Sequence, residues 1–279
     1  MDSARTDDEH PLSQRVAQLR DEDRFDEALP VLRAAITAGE PDAPRLLAVT
    51  LMETGDKEQA RDVLVEAVNG GRADLGGLLG DVADDLGDGE LAEASYRKAI
   101  QAGDPDALND FAVFLRGEER YDEAIEVLNQ AIKAGDSLAP GNLVSLYFDD
   151  LEEVDTAERL GRQFLDENKP TTYTALANVC ALQGKLDEAD ELHRKAVALG
   201  AQEAHINYAE FLWEERDDEA GAERELRLAK ESDEPGWGYE LGYFLSELGR
   251  DGEASAVLAH AAAWGDLDAA ELLEELGAD

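Results

Sequence analysis

The chain has 279 residues, 66 of them acidic and 25 basic, and its formal net charge at pH 7 is −41. Small soluble domains usually carry a net charge of about 2–8 in magnitude. A surface this anionic should repel nucleic acid and anionic membranes, and it should attract basic partners or cations. The alternative interpretation is adaptation to solubility or to a saline cytoplasm, with the choice of partner unrelated to the charge.

The cysteine content and the apolar runs exclude further classes. Cys180 is the only cysteine, so the chain can form neither an intrachain disulfide nor a cysteine-based zinc site. No basic segment followed by an apolar stretch opens the chain, and no run of 18 apolar residues occurs in it. We therefore expect no signal peptide and no transmembrane span, and we expect a cytoplasmic location.

The first ten residues, MDSARTDDEH, show no apolar periodicity. Such a polar segment at a chain terminus cannot bury apolar surface, and it is typically mobile. We predict a flexible N-terminal arm over residues 1–10.

From residue 11 to residue 265 an internal repeat organises the chain. Similar segments are RFDEALPVLRAAITAGEPDA from Arg24, RYDEAIEVLNQAIKAGDSLA from Arg120 and KLDEADELHRKAVALGAQEA from Lys185. An alanine recurs at steps of 32 or 33 residues, at Ala28, Ala60, Ala92, Ala124, Ala157, Ala189, Ala222 and Ala254. In most copies a large residue follows four positions later and a second small residue seven positions later, which places all three on one face of a helix.

The end of this helix and the start of the next one also recur. Glycine, asparagine or aspartate stands four positions beyond the second small residue, as at Gly39, Gly103 and Asn168. Such residues favour a left-handed helix C-cap. A second helix follows, with a small residue at positions such as Ala48 and Ala112. The predicted unit is therefore helix, turn, helix, turn.

The paired alanines and the aromatic or leucine before DEA (Phe25, Tyr121 and Leu186) resemble the tetratricopeptide repeat (TPR) family. Turns such as KAIQAGDPDA also resemble those of Sel1-like repeats. The resemblance implies an all-α, right-handed α-solenoid of about eight helix-turn-helix repeats with a period of 32–33 residues. The array would cover residues 11–265. The segment 266–279 (DLDAAELLEELGAD) would form a C-terminal capping helix, because a stack of repeats needs a polar end.

The glycine-rich stretch Gly70–Gly89 does not match a phosphate-binding or calcium-binding motif. A P-loop needs a lysine where Gly77 stands, and an EF-hand needs an oxygen ligand where Leu86 stands. The repeat explains most of these glycines but not Gly76 and Gly77. Two further glycines inside a helix cost about 0.8–1 kcal/mol each relative to alanine, so we expect a weak helix here and a possible hinge.

No set of residues suggests catalysis. The four histidines, at positions 10, 193, 205 and 260, share no register that would bring two of them to one helix face. His193 replaces the large packed residue of its repeat, so we interpret it as a satisfied core residue, and Cys180 as a buried thiol. We predict that the protein is not an enzyme and that it has neither a cofactor nor a metal site.

The resemblance implies that the first helices line the concave side of the array, where TPR proteins dock extended peptides. The candidate groove residues on these helices are Asn109, Asp110, Asn142, Asn178, Asn207, Glu210, Trp213, Glu214, Tyr239, Glu240 and Tyr243. Asparagine can donate to and accept from a peptide backbone, and aromatic rings beside carboxylates suit a Lys or Arg side chain. The alternatives are solvated asparagines and a Trp213 that packs between repeats. Arg45 and Arg116 are isolated there, which disfavours a clamp for a partner's C-terminal carboxylate.

We therefore expect a protein–protein interaction scaffold that binds a basic or extended peptide or protein segment in an acidic groove, with no nucleic-acid or membrane partner. The alternative function is an acidic mimic of nucleic acid that occupies the binding site of a basic protein.

Overall fold

The computed structural model describes residues 11–277, and the arm predicted over residues 1–10 lies outside them. Within this part of the chain there are seventeen α-helices and no strand, with one 3-10 turn (Ala73–Leu75) and one π-helical segment (Leu146–Asp150). The helices are α1 (Leu12–Asp21), α2 (Phe25–Ala38), α3 (Ala43–Glu53), α4 (Lys57–Asn69), α5 (Gly76–Asp85), α6 (Gly89–Ala102), α7 (Ala107–Gly117), α8 (Tyr121–Ala134), α9 (Ala139–Ser145), α10 (Val154–Phe164), α11 (Thr171–Leu182), α12 (Leu186–Leu199), α13 (Ala204–Glu214), α14 (Glu219–Glu231), α15 (Trp237–Glu247), α16 (Asp251–Ala263) and α17 (Leu267–Gly277).

The helices alternate as the repeat predicts. Odd-numbered helices are the first helices of the units, and even-numbered helices from α2 to α16 carry the recurring alanine. All eight recurring alanines have no solvent-exposed surface. A small side chain at this position lets the neighbouring helix approach closely, which explains the spacing of the alanines. The predicted all-α solenoid of helix-turn-helix repeats is confirmed.

Most turns after the second helices follow the predicted glycine pattern. Gly103 ends α6 with φ at 85°, and Gly200 ends α12 with φ at 67°. The prediction is wrong for Asn168. Helix α10 ends earlier, at Phe164, and the extended conformation of Leu165 turns the chain away. The backbone N–H of Asn168 instead donates to Oδ1 of Asp166 at 2.9 Å.

The packing divides the chain into two compact units, Met1–Phe114 and Leu115–Asp279, and the division falls inside α7. In the first unit the core includes the fully buried Leu64. In the second unit it includes the fully buried Leu176 and Leu245. Burying one leucine side chain contributes about 1.5–3 kcal/mol, so the leucines between the helices are the main source of stability in each unit.

Close packing explains one of the two unassigned glycines. A Cβ at Gly76 would lie 2.9 Å from the carbonyl oxygen of Ser95, and a Cβ at Gly80 would lie 2.5 Å from the ring of Tyr96. Helix α5 therefore needs glycine at positions 76 and 80 to approach α6 closely. At Gly77 a Cβ would meet nothing closer than 3.7 Å, so packing does not require that glycine. The hinge stays a prediction.

The last helix, α17, lies within the segment predicted as a cap. Its buried Ala269 packs against Leu258 and Ala261 of α16, and α17 also contacts α15. Among the helices of residues 11–277, none has an apolar stretch long enough to cross a bilayer.

Candidate functional site

All eleven candidate groove residues lie on first helices, as the repeat predicts. They occupy α7, α9, α11, α13 and α15. Asn109 and Asp110 belong to the first compact unit, and the other nine residues belong to the second.

Six of the eleven residues surround one recess in the second unit. The recess lies between α13 and α15 and has a volume of about 300 Å³. Its walls include Glu210, Trp213, Glu214, Tyr239, Glu240 and Tyr243, and its apolar lining includes Ala209, Leu226 and Phe244. We call it the α13–α15 recess.

Helical spacing brings these side chains together. On α13, Glu210, Trp213 and Glu214 follow at steps of three and one, and on α15 Tyr239 and Tyr243 are four residues apart. Residues three or four apart lie on the same face of a helix. The two helices therefore present mixed aromatic and acidic faces to the same space.

The aromatic side chains form an ordered wall. Trp213 meets Phe244 edge to face at 5.0 Å between ring centroids, and it meets Tyr243 at 6.1 Å. The rings of Tyr239 and Tyr243 are nearly parallel, with centroids 6.0 Å apart. Tyr243 is 38% exposed. Trp213 therefore packs between repeats, which was one of the two alternatives, and it also lines the recess. Its contact with a partner stays a prediction.

The carboxylates of the recess lack basic partners. No Lys, Arg or His within residues 11–277 forms an ion pair with Glu210, Glu214 or Glu240. The pKa of Glu210 is raised, first by burial and then by the negative charges of Glu214 and Asp149. The pKa of Glu240 is raised by burial and then by Glu210. Burial and like-charge repulsion both disfavour the ionised carboxylates. A cation that enters the recess would therefore stabilise their ionised forms.

Carboxylates on the second helices have the opposite environment. Glu158 on α10 binds Lys185 at 2.5 Å and Arg162 at 2.8 Å. Hydrogen bonds to these groups lower the pKa of Glu158 to about 2. Glu223 on α14 is held in the same way by Arg250 and Arg227. Basic side chains therefore pair with Glu158 and Glu223 on second helices, whereas the glutamates of the α13–α15 recess have no such partner among residues 11–277.

The four asparagines differ in their surroundings. Asn142 on α9 and Asn178 on α11 are half-buried. The Nδ2 of Asn207 donates to the carbonyl oxygen of Glu203 in its own helix at 2.8 Å. Asn109 is only 5% exposed. Asn142 and Asn178 are thus half-buried asparagines of first helices, and their contact with a peptide backbone stays a prediction.

In the first unit, Asp110 belongs to an acidic group around Tyr96. The Tyr96 hydroxyl donates to Oδ1 of Asp81 at 2.8 Å. Burial, the nearby Asp81 and other carboxylates raise the pKa of Asp110 to about 6, against a hydrogen bond from Asn109 that lowers it. Burial likewise raises the pKa of Asp81. Within residues 11–277, no three His, Cys, Asp or Glu side chains are grouped so that they could hold a metal ion.

Arg116 forms ion pairs with two carboxylates of the second unit, and the prediction against a carboxylate clamp stays a prediction. Its guanidinium binds Asp149 at 3.0 Å and Asp150 at 2.5 Å. The spacing of more than thirty residues hides this pairing in the sequence, because it depends on how neighbouring first helices are aligned.

His193 and Cys180 are core residues, as the sequence predicts, and neither side chain is exposed. The prediction that His193 is satisfied is wrong, because neither ring nitrogen has a hydrogen-bond partner. The ring lies against Tyr208 and Phe211, with centroid distances of 5.6 and 4.9 Å. Burial without a partner lowers the pKa of His193 to about 4.

A second recess was not predicted from the sequence. It lies between α15 and α17, has a volume of about 350 Å³, and is lined by Tyr239, Asp268, Glu271, Leu272 and Glu275. We call it the α15–α17 recess. Its three carboxylates follow at steps of three and four residues, which is the spacing of one helix face. That spacing was visible in the sequence, but the segment was interpreted only as a cap.

Comparisons with known proteins agree with the repeat. Three family models, each described as tetratricopeptide repeat, match residues 19–76, residues 77–102 with 105–134, and residues 171–204. Together they cover just over half of the chain. No curated protein sequence matches the chain significantly.

Solved structures show the same fold. Yeast Tom70 aligns with a TM-score of 0.66 and 15% identity, over 92% of this chain and 59% of that chain. The Cut9–Hcn1 hetero-tetramer of the APC/C aligns with a TM-score of 0.51 and 17% identity, over 95% of this chain and 55% of that chain. The chain thus spans less than two thirds of either protein, and at these identities the likeness concerns the fold alone.

Proposed function

Because the chain belongs to the tetratricopeptide repeat family, whose fold supports protein–protein interaction, we propose that it is a non-catalytic scaffold that binds a basic, extended segment of a protein partner. The α13–α15 recess would receive a Lys or Arg side chain of that segment. The observation that carries the proposal is the combination, in one recess, of unpaired carboxylates with an aromatic wall.

Two interactions would hold the basic side chain. A cation near Glu210 and Glu240 removes the like-charge repulsion that disfavours their ionised forms. The rings of Trp213 and Tyr243 add cation–π contacts of about 0.5–1 kcal/mol each at an exposed site, and about 2 kcal/mol where water is excluded.

The remainder of the segment would run along the first helices. Asn142 and Asn178 would bind its backbone, because an amide side chain can donate and accept at once. In the same proposal residues 11–265 form the repeat array, residues 266–279 cap it, and the turns have Sel1-like character. The net charge of −41 supports a basic partner and disfavours nucleic acid and anionic membranes as partners. The proposal includes a cytoplasmic location.

A selection of random peptides on the immobilised protein tests the proposal. We expect enrichment of peptides that contain Arg or Lys. Binding should weaken between about 50 and about 500 mM salt, where the Debye length falls roughly threefold. Enrichment of acidic or purely apolar peptides would contradict the proposal.

A matched pair of variants shows whether the recess is responsible. Changing Glu210, Glu214 and Glu240 to Gln should abolish binding of the enriched peptides. The control replaces three exposed glutamates of second helices, Glu126, Glu191 and Glu231, and removes the same charge. If both triple variants bind alike, the charge of the whole surface is responsible, and the interpretation as an acidic mimic of nucleic acid is favoured instead.

A further inference from the structure

The two recesses of the second unit are neighbours that share a wall. Tyr239 borders both the α13–α15 recess and the α15–α17 recess. Carboxylates on both sides act on its hydroxyl, since Glu240 and Asp268 add to the effect of burial and raise the pKa of Tyr239. The ring therefore stands between two anionic spaces of similar size, about 300 and 350 Å³.

The α15–α17 recess also has both kinds of group that suit a basic side chain. Asp268, Glu271 and Glu275 form no ion pair with any Lys, Arg or His of residues 11–277. Tyr239 and Leu272 supply an apolar wall for the methylene groups of a long side chain.

We propose that these two recesses together recognise a protein segment with two basic side chains three residues apart, at positions i and i+3, one in each recess. The inference rests on the function proposed above and names the pattern that its partner carries. It follows from the typical spacing of packed helices and from the shape of an extended chain.

The distance is set by the repeat. One recess lies between α13 and α15, and the other lies between α15 and α17, so the step between them is about one helix-to-helix spacing. Packed helices lie about 8–10 Å apart. A segment that crosses these helices must therefore advance about 9 Å between its two basic side chains.

The backbone conformation then selects the spacing. A polyproline II segment advances about 3.1 Å per residue and has three residues per turn. Its residues i and i+3 are therefore about 9 Å apart and face the same side. In a β-strand, side chains on one face are two or four residues apart, which corresponds to about 7 or 13 Å. Both distances match a step of about 9 Å less closely than the polyproline II spacing does.

Arginine is the side chain that suits the recesses better. Its guanidinium is planar, stacks on aromatic rings, binds carboxylates through two parallel hydrogen bonds and is less strongly hydrated than an ammonium group. The nearly parallel rings of Tyr239 and Tyr243 offer a flat surface for such stacking. Arginine is therefore the residue to use in the probe.

The test measures the affinity of labelled synthetic peptides by fluorescence anisotropy. The peptides share one neutral, proline-containing sequence and carry either one arginine or two arginines at spacings from i+1 to i+4. We expect the i+3 peptide to bind about tenfold more tightly than the single-arginine peptide, given typical cation–π and charge-assisted hydrogen-bond contributions. The other spacings should gain clearly less.

Two variants assign the gain to its recess. The double change Glu271→Gln and Glu275→Gln should remove the advantage of the i+3 peptide over the single-arginine peptide, which can still occupy the α13–α15 recess. The control double change, Glu191→Gln and Glu231→Gln, removes the same charge from exposed positions of α12 and α14 and should keep that advantage. Circular dichroism melting of each variant shows that it is folded.

The outcomes separate the two proposals. Equal affinity for all spacings, or an i+3 advantage that survives the Glu271 and Glu275 changes, overturns the two-recess inference. In that case the α13–α15 recess can still bind one basic side chain, and the proposed function stands. If neither the single-arginine nor the i+3 peptide binds, both proposals fail.

Discussion

Each compact unit contains an equivalent interface between a second helix and the first helices on either side of it. We call the interface of α6 with α5 and α7 the first seam and the interface of α12 with α11 and α13 the second seam. The polar groups in the two seams differ. Tyr96 in the first unit and His193 in the second occupy the same position of the repeat. Each ring packs against two aromatic rings of the next first helix. The two sets are Tyr96 with Phe111 and Phe114, and His193 with Tyr208 and Phe211.

The same hydrophobic packing thus accommodates opposite polar chemistry. In the first seam, the Tyr96 hydroxyl donates to Asp81 at 2.8 Å. In the second seam, His193 has no partner, and the position that corresponds to Asp81 carries Asn178. A repeat therefore fixes which side chains are buried without fixing whether their polar atoms are satisfied.

The two seams should respond to pH in opposite directions. A group whose pKa is raised by folding binds more protons in the folded state, so its contribution to stability is lost as pH rises. This is the case of Asp110, with a pKa of about 6. A group whose pKa is lowered by folding binds fewer protons when folded, so stability is lost as pH falls. This is the case of His193, with a pKa of about 4.

The largest expected effect is the acid sensitivity of the second seam. The pKa of His193 falls from 6.5 to about 4 on folding, and one pKa unit corresponds to about 1.4 kcal/mol. The second unit should lose about 3 kcal/mol of its free energy of unfolding between pH 6.5 and pH 4. His193→Leu, which introduces the leucine common at this position, should remove that loss and should not destabilise the unit at neutral pH.

Hydrogen exchange of peptides from α12 and α13, followed by mass spectrometry at several pH values, measures this effect. The control is His260→Gln, because His260 is exposed, and it should leave the pH dependence unchanged. If His193→Leu keeps the acid sensitivity of the parent protein, another group causes it.

The second prediction concerns how closely the helices approach in the first seam. A Cβ at Gly80 would lie 2.5 Å from the ring of Tyr96, and excess volume in a packed core costs about 1–3 kcal/mol. Gly80→Ala should therefore lower the free energy of unfolding by about 2 kcal/mol, although alanine is the better helix former. Urea unfolding followed by circular dichroism measures the loss.

The second seam supplies the matched control for this change. There the position equivalent to Gly80 is Ala177, and the position equivalent to Tyr96 carries the smaller ring of His193. Combining Gly80→Ala with Tyr96→His copies that arrangement, so the double variant should lose less than the sum of the two single losses. Additive losses would show that the ring of Tyr96 is not the obstacle.

The comparison also shows what the sequence can predict. The 32–33-residue period predicted the helices and the burial of the recurring alanines, because helical spacing alone decides which residues share a face. The same spacing placed Glu210 and Trp213 on one face of α13, and Tyr239 and Tyr243 on one face of α15. The sequence did not predict the recess between these faces, and its role in binding stays a proposal.

Other features depend on distances between helices, which the period does not contain. The missing partners of His193, the ion pairs of Arg116 and the need for glycine at position 76 each depend on the groups that a neighbouring helix brings within a few ångströms. The α15–α17 recess was missed for another reason. Glu271 and Glu275 were interpreted as the polar side of a cap, and a polar cap and an acidic binding surface have the same sequence pattern.

The smallest predicted effect is a gain of stability in the first unit, from a change at Asp110 near Tyr96. Asp110→Asn copies Asn207, which occupies the equivalent position in the second unit. Burial and the charge of Asp81 raise the pKa of Asp110 from 3.8 to about 6, so its ionised form destabilises the first unit at neutral pH. Because the side chain is only partly buried and water screens it, we expect a gain of about 1 kcal/mol at pH 7.5. That gain should fall towards zero below about pH 3, where the carboxyl is protonated in both the folded and the unfolded state. Urea unfolding at both pH values measures the gain, with Glu66→Gln as the exposed control of equal charge change. A gain that is the same at both pH values would mean that Asp110 acts through packing, and the two seams would then differ in shape and not in charge.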